Sequence, residues 1–328
     1  MTPITKKISK FTQATNEHPW RFLTIITAYL CLAMSISACG GGSAGVGNAS
    51  VPPTTGNPPA GGEAIAVWGD STTSGVGATA GMSYPDQLAS LTGRSVFNGG
   101  VSGQTSDQIA ARQGGAPARV TFLNNSMPAS GTVELVDQST FPVSAEGPGP
   151  ITGTINGIHG TLDYQRTNAV LVFTRDTSGS ALSIPAQTSF LPDTFGRQAV
   201  INVFWMGQNN FYQTAQIKSD IANCINSLTS SRFIVLSILN AETEVVGTAP
   251  YNAIIQLNNE LAQAYPNNYI DIRQILVDNY NPASSQDVRD YNNNTPPASL
   301  RSDNEHLNEA GYRIVAQQVA AFIARKGW

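Results

Sequence analysis

The chain has 328 residues, a hydrophobic fraction of 41%, a charged fraction of only 12% and a formal net charge of −4. Length and apolar content support a sizeable core in one large domain or two smaller ones, and the charge balance supplies no basic stripe for nucleic acid. The three cysteines, Cys31, Cys39 and Cys224, exclude an internal disulfide framework and a cysteine-rich metal site.

The amino-terminal segment opens with Lys6, Lys7, Lys10 and Arg21. A nearly continuous apolar run then extends from Phe22 to Ala38, short for a membrane-spanning helix. It ends in Ile36-Ser37-Ala38-Cys39, which resembles the lipobox of bacterial lipoproteins, an aliphatic and two small residues before a cysteine. The resemblance implies that residues 1–38 are a signal peptide and that Cys39, acylated, becomes the mature amino terminus. Gly40 after the cysteine, rather than Asp, is similar to the pattern of lipoproteins sorted to the outer membrane in a Gram-negative host. An uncleaved inner-membrane anchor is the competing reading. Residues 39–62, rich in Gly, Ser, Pro and Thr and without charge, read as a flexible tether.

The body begins with the apolar run Ala64 to Trp68, a buried strand that stops at Gly69-Asp70-Ser71. In an open α/β sheet ligands bind at the carboxyl ends of strands, so a serine there is placed for chemistry. Tyr84 to Leu91 reads as a helix with Pro85 in its first turn. Ser95 to Phe97 reads as a second strand, running into the glycine loop Asn98-Gly99-Gly100-Val101-Ser102-Gly103. A helix is expected from Ser106 to Arg112.

From 113 to 196 helical periodicity vanishes. Short alternating runs (119–122, 132–136, 151–155, 160–164, 169–175 and 181–184) are separated by Gly, Pro, Asn and Ser clusters, as in a small β-sandwich or barrel. We read this stretch as an inserted all-β module that binds carbohydrate or walls a substrate cleft. Tyr164, Phe173 and Phe190 are expected in its core, and His159 in a Gly-Ile-His-Gly turn.

Ala199 to Trp205 is the second strongly apolar run and stops at Met206-Gly207-Gln208-Asn209-Asn210. A helix over 214–228 carries Ile217, Ile221, Cys224, Ile225 and Leu228 on one face, which buries Cys224 as an inert thiol. A strand at 233–239, a helix at 251–264 and a short strand at 269–272 follow. A polar segment from 278 to 300 leads to a closing helix over 308–326. With 113–196 set aside, strands and helices alternate. That pattern predicts a three-layer α/β/α sandwich with a mostly parallel sheet.

Four stretches can then share one sheet edge, and together they resemble the SGNH hydrolase superfamily of GDSL-type esterases. Ser71 matches the first block, Gly100 the second, Asn209 the third, and Asp303 with His306 the Asp-x-x-His of the last. The resemblance implies a flavodoxin-like fold over 63–112 and 197–328. The third block usually ends in aspartate, where this chain has Asn210. The Gly-x-Ser-x-Gly pattern of α/β-hydrolases is not met at Ser71.

The chemistry also follows from the residues themselves. A serine hydroxyl needs a base. His18 belongs to the leader and His159 to the β module, which leaves His306 as the imidazole of the α/β core. Asp303 can orient that ring, with Glu305 as a nearby alternative. The family resemblance implies an oxyanion hole of the Ser71 and Gly100 N–H groups and the Asn209 amide. The expected activity is a serine esterase working through an acyl-Ser71 intermediate without metal or cofactor. Its expected setting is extracytoplasmic, anchored through Cys39 and acting on an acylated glycan. Lipid or simple aryl esters are the alternative substrates, and a non-catalytic carbohydrate-binding lipoprotein is the alternative of another class.

Overall fold

The computed structural model describes residues 64–138, 150–165, 167 and 170–328. The expected signal peptide, the acylation at Cys39 and nearly all of the tether lie outside the described residues. In chain order, strand β1 (Ile65–Gly69) is followed by the single turn α1 (Ser71–Ser74), helix α2 (Tyr84–Thr92), β2 (Val96–Gly100) and α3 (Ser106–Gln113). Eight short strands come next: β3 (Arg119–Phe122), β4 (Ser126–Met127), β5 (Thr132–Gln138), β6 (Ile151–Ile155), β7 (Ile158–Gln165), β8 (Val170–Arg175), β9 (Leu182–Ser183) and β10 (Thr188–Pro192). The chain then returns through β11 (Ile201–Trp205), α4 (Thr214–Asn226), β12 (Phe233–Leu236), α5 (Ala249–Ala264) and β13 (Tyr269–Ile270). It closes with α6 (Ile272–Asp278), α7 (Ser285–Asn292) and α8 (Glu309–Lys326).

The core sheet is parallel, in the order β13-β12-β11-β1-β2. Both faces are covered, which is why β1 is apolar throughout and β11 is apolar but for Asn202, whose buried Oδ1 accepts the Trp68 indole N–H at 2.9 Å. Ile65 and Val67 join Val203 and Trp205 against Tyr312, Val315 and Val319 of α8. Ala66 and Trp68 point the other way, joining Phe204, Ile109 of α3, Ile217 and Ile221 of α4, and Ile254 of α5. The expected α/β/α sandwich is thus present. Cys224 lies in the second cluster, and burial pushes its thiol up, away from reactivity.

Six of the inserted strands close into a barrel, β10-β3-β5-β8-β7-β6. Phe122, Ile155, Leu162, Phe173 and Phe190 fill it, with Tyr164 packed alongside. The barrel's first and last strands pair with each other, so its entry and exit leave together from the α/β core between α3 and β11.

Several boundaries differ from expectation. The second strand does not stop at Phe97 but continues to Gly100, taking half the glycine loop into the sheet. His159 is not in a turn. The turn is Asn156-Gly157, both at positive φ (50° and 78°), a two-residue hairpin that puts His159 on β7. The run at 269–272 ends as a strand at Ile270, because the Asp271 side chain accepts the Gln274 N–H and starts α6. Helix α7 arises inside the polar segment, and β10 around Phe190 was not among the expected strands.

Candidate active site

Ser71 stands at the first position of α1, directly beyond the carboxyl end of β1. Asp70 before it is only 2% exposed, and its Oδ1 accepts the Thr72 N–H at 3.0 Å, capping the turn. Burial pushes the Asp70 carboxyl up to about 6, against the Thr72 hydrogen bonds and the attraction of His306, which both favour the charged form. As the first residue of a helix, Ser71 has no intrahelical acceptor for its own N–H.

His306 comes from a loop tied at both ends. An antiparallel bridge joins Arg301 to Leu307, and the Ser302 N–H donates to the His306 carbonyl at 2.9 Å. Asn308 caps α8 through the N–H groups of Ala310 and Gly311, while its amide donates to the carbonyls of Ser299 and Arg301. Arg301 braces the loop from beneath. Its guanidinium donates to the carbonyls of Pro296 and Asp303 and pairs with Asp290 at 3.1 Å and Glu242 at 3.3 Å.

His306 Nε2 lies 3.0 Å from Ser71 Oγ, and Nδ1 lies 2.9 Å from Asp303 Oδ2. An ionised carboxylate only accepts. The proton therefore sits on Nδ1, and Nε2 is free to accept the serine hydroxyl. Partial desolvation opposes ionisation of Asp303, but N–H groups of His306 and Glu305 on Oδ1 (2.7 and 2.8 Å) and the His306 ring hold it below the usual carboxylate range. Of the two candidate acids, Asp303 makes this contact. Glu305 contributes its backbone N–H to Asp303.

Asn209 follows β11 in a single 3₁₀ turn, and its Nδ2 donates to the Gln104 carbonyl at 2.9 Å. Asn210, where the family usually has aspartate, accepts the Ser106 N–H at 3.1 Å and donates to Ser106 Oγ at 3.0 Å. Ser106 Oγ in turn donates to Asp220 at 2.6 Å. The carboxylate of this network is thus Asp220, raised by burial. An amide at 210 avoids setting a second carboxylate against the same hydroxyl.

Gly100 requires a correction. It pairs with Gly69, and the Val101 N–H donates to the Gly69 carbonyl. In a parallel ladder of that register the N–H of Gly100 points away from β1, off the sheet's free edge, and it donates to Asn98 Oδ1 at 2.9 Å. A Cβ on Gly100 would lie 2.1 Å from Ser74 N and 2.4 Å from the Thr73 carbonyl carbon. Its role is close packing beneath α1. Gly103 sits between the parts instead. It has φ +75°; Ser102 before it meets Ser74 Oγ at 3.3 Å, and Gln104 after it takes the Asn209 amide. Among the described residues no group of three or more His, Cys, Asp or Glu side chains is arranged to hold a metal ion.

A hydroxyl, an imidazole and a carboxylate in series on the rim of a parallel sheet form the constellation of serine hydrolases. The GDSL-like lipase/acylhydrolase family profile matches residues 65–319, and the chain belongs to that family, whose general chemistry is ester hydrolysis. It is 29% identical over 277 residues to the tail spike protein of Salmonella phage epsilon15, a match covering 74% of this chain and 25% of that protein. The chain thus spans about a quarter of the length of that relative. Among solved structures, a G-D-S-L family protein from Desulfitobacterium hafniense matches 80% of this chain and 99% of its own, at 13% identity and a TM-score of 0.42. A lipolytic G-D-S-L family member from Veillonella parvula matches 80% and 98%, at 12% identity and a TM-score of 0.44.

The site residues missed in the sequence were Asp70, Gly103 and Arg301 with Asp290. Asp70 had a signal, since an acid directly before a short hydroxylated run is an N-cap pattern. The Arg301–Asp290 pair had none, because nothing in the spacing links an arginine in a loop to an acid eleven residues earlier.

Proposed function

We propose that the protein is a serine carboxylic-ester hydrolase in which Ser71 is the nucleophile, His306 the general base and Asp303 the residue that orients it. The reading is carried by the 3.0 Å contact between Ser71 Oγ and His306 Nε2, continued by the 2.9 Å contact to Asp303. In this mechanism Nε2 takes the hydroxyl proton as Oγ attacks the ester carbonyl. The Ser71 and Gly103 N–H groups and the Asn209 amide stabilise the oxyanion, each contributing about 3–4 kcal/mol to lowering the barrier. His306 then returns the proton to the leaving alcohol. Water, activated by the same imidazole, releases the acyl group.

Its substrate in this reading is an O-acylated glycan outside the cytoplasm, reached from a membrane anchor at Cys39. The lipobox-like sequence, the uncharged tether and the barrel beside the core support that assignment. Turnover of short-chain aryl esters and acetylated glycans, lost in Ser71→Ala with folding intact, tests the enzyme. Undiminished turnover in that variant contradicts it. Palmitate labelling lost in Cys39→Ala tests the anchor, and labelling that persists rules out acylation there.

A further inference from the structure

The free edge of β2 does not face open solvent along its whole length. The barrel stands opposite, leaving a cleft of about 380 Å³ between Phe97, Asn98 and Gly100 of the sheet and Ile151, Thr152 and Asp193 of the barrel side. That volume is in the range of small-ligand sites, roughly 300–1,000 Å³. Gly100 and Val101 belong to the cleft's lining, and Gly100 packs against the backbone of α1, the turn that carries Ser71.

We propose that this cleft is the subsite for the alcohol portion of the ester, and that it selects a hydroxyl-rich group, a sugar unit. The inference rests on the esterase reading for its reaction and on the cleft for its specificity. Three features select that chemistry. An edge strand presents backbone donors and acceptors that an alkyl chain cannot satisfy; the ladder register turns the Asn98 N–H and the Asn98 and Gly100 carbonyls toward the cleft, while the Gly100 N–H is taken by Asn98 Oδ1. Asp193 adds a carboxylate that accepts hydroxyl protons. It is held in place by His159 Nε2, at 2.9 and 3.1 Å from its two oxygens, while His159 Nδ1 grips Asp176 at 2.5 Å. The cation at the cleft's inner end, Arg112, is turned inward onto Gln104 Oε1 and the carbonyls of Gly99 and Gly69. His159 beside Asp193 and the Arg197 guanidinium, 3.7 Å from the Phe97 ring centroid, give the lining both signs of charge. Ile151 supplies apolar surface for the C–H face of a sugar ring.

The test compares wild type, Thr152→Trp, which fills the cleft from the exposed side of β6, and Asp193→Asn. The substrates are partially acetylated xylan oligosaccharides and 4-nitrophenyl acetate. The expected result is a fall of about tenfold or more in the ratio of kcat/KM for the oligosaccharide to that for the aryl ester in Thr152→Trp, expressed in KM, with a smaller fall in Asp193→Asn. In parallel, calorimetric binding of the oligosaccharides to Ser71→Ala weakens by a similar factor when Thr152→Trp is added. A ratio unchanged in both variants, an equal loss on both substrates, or binding indifferent to Thr152→Trp overturns the proposal. Turnover of neither ester by wild type overturns the esterase reading instead, and the binding titration then decides the cleft by itself.

Discussion

Asp303 holds His306 twice: Oδ1 accepts the His306 backbone N–H at 2.7 Å and Oδ2 meets ring Nδ1 at 2.9 Å. One carboxylate thereby sets both the position of the peptide and the tautomer of the ring. Asp303→Asn keeps the size but can present its amide N–H to Nδ1, favouring the wrong tautomer. We expect kcat on a short-chain aryl ester to drop by about three to four orders of magnitude with little change in KM. Steady-state kinetics at saturating ester measure this. A drop below tenfold would assign the orienting role elsewhere.

Gly100→Ala separates two roles for the second glycine block. Alanine retains the backbone N–H, so an N–H donor would survive the change. A Cβ at 2.1 Å from Ser74 N, however, has only backbone to push against. The variant should lose stability by roughly 1–3 kcal/mol, as overpacking does, and lose activity with it. Unchanged melting and turnover would show that Gly100 does not seat α1.

Arg301 and Asp290 have side chains only 5% and 3% exposed. Removing the cation by Arg301→Gln leaves a buried carboxylate unpaired, at a cost of about 3–5 kcal/mol, and releases the carbonyls of Pro296 and Asp303. Denaturant unfolding should show that loss, and kcat should fall as the His306 loop loosens. Wild-type stability in the variant would mean that water reaches Asp290.

The buried Asp70 carboxyl makes stability pH-dependent in an uncommon direction. Its folded pKa of about 6 exceeds the ordinary value of 3.8, so between those values the native state binds the proton more tightly than the unfolded chain. Stability contributed by this group therefore falls as pH rises from about 4 to about 6, and the full cost remains above that window. Asp70→Asn keeps the cap and removes the charge. It should be more stable than wild type at pH 7, by at most about 3 kcal/mol, with the gap closing toward pH 4. Melting curves at the two pH values check this, and a gap that widens in acid would contradict it.

His159 carries the opposite sign. Hydrogen bonds that its ring N–H groups donate to Asp193 and then Asp176 raise its pKa above 6.5. Its contribution is fully present below the unfolded value and is lost as pH rises through the folded one. The group is exposed, so each pair contributes no more than about 1 kcal/mol. His159→Gln should lower the melting temperature at pH 6, and the difference should shrink at alkaline pH.

The parts legible in the sequence were those written locally. The apolar runs of β1 and of β11, the latter broken only by Asn202, announced strands buried on both faces. Ser71, Asn209, Asp303 and His306 each sat at the end of such a run or before a helix. What escaped depended on pairing across the chain. Whether Gly100 or Gly103 faces the nucleophile is decided by how far β2 pairs with β1, which spacing within a glycine-rich run does not reveal. Helix α7 escaped because what it buries is Asp287 and Asp290, held by Ser299 and Arg301, and polar burial leaves no apolar period. Asn156-Gly157 was a readable hairpin signal that would have placed His159 on a strand.

The central claim is that Ser71 is the activated nucleophile, and covalent trapping tests it most directly. Treatment with diisopropyl fluorophosphate followed by peptide mass spectrometry should find one diisopropylphosphorylated residue, Ser71, with modification abolished in His306→Ala. Modification at another residue, or equal labelling of Ser71 with and without the imidazole, would contradict the account.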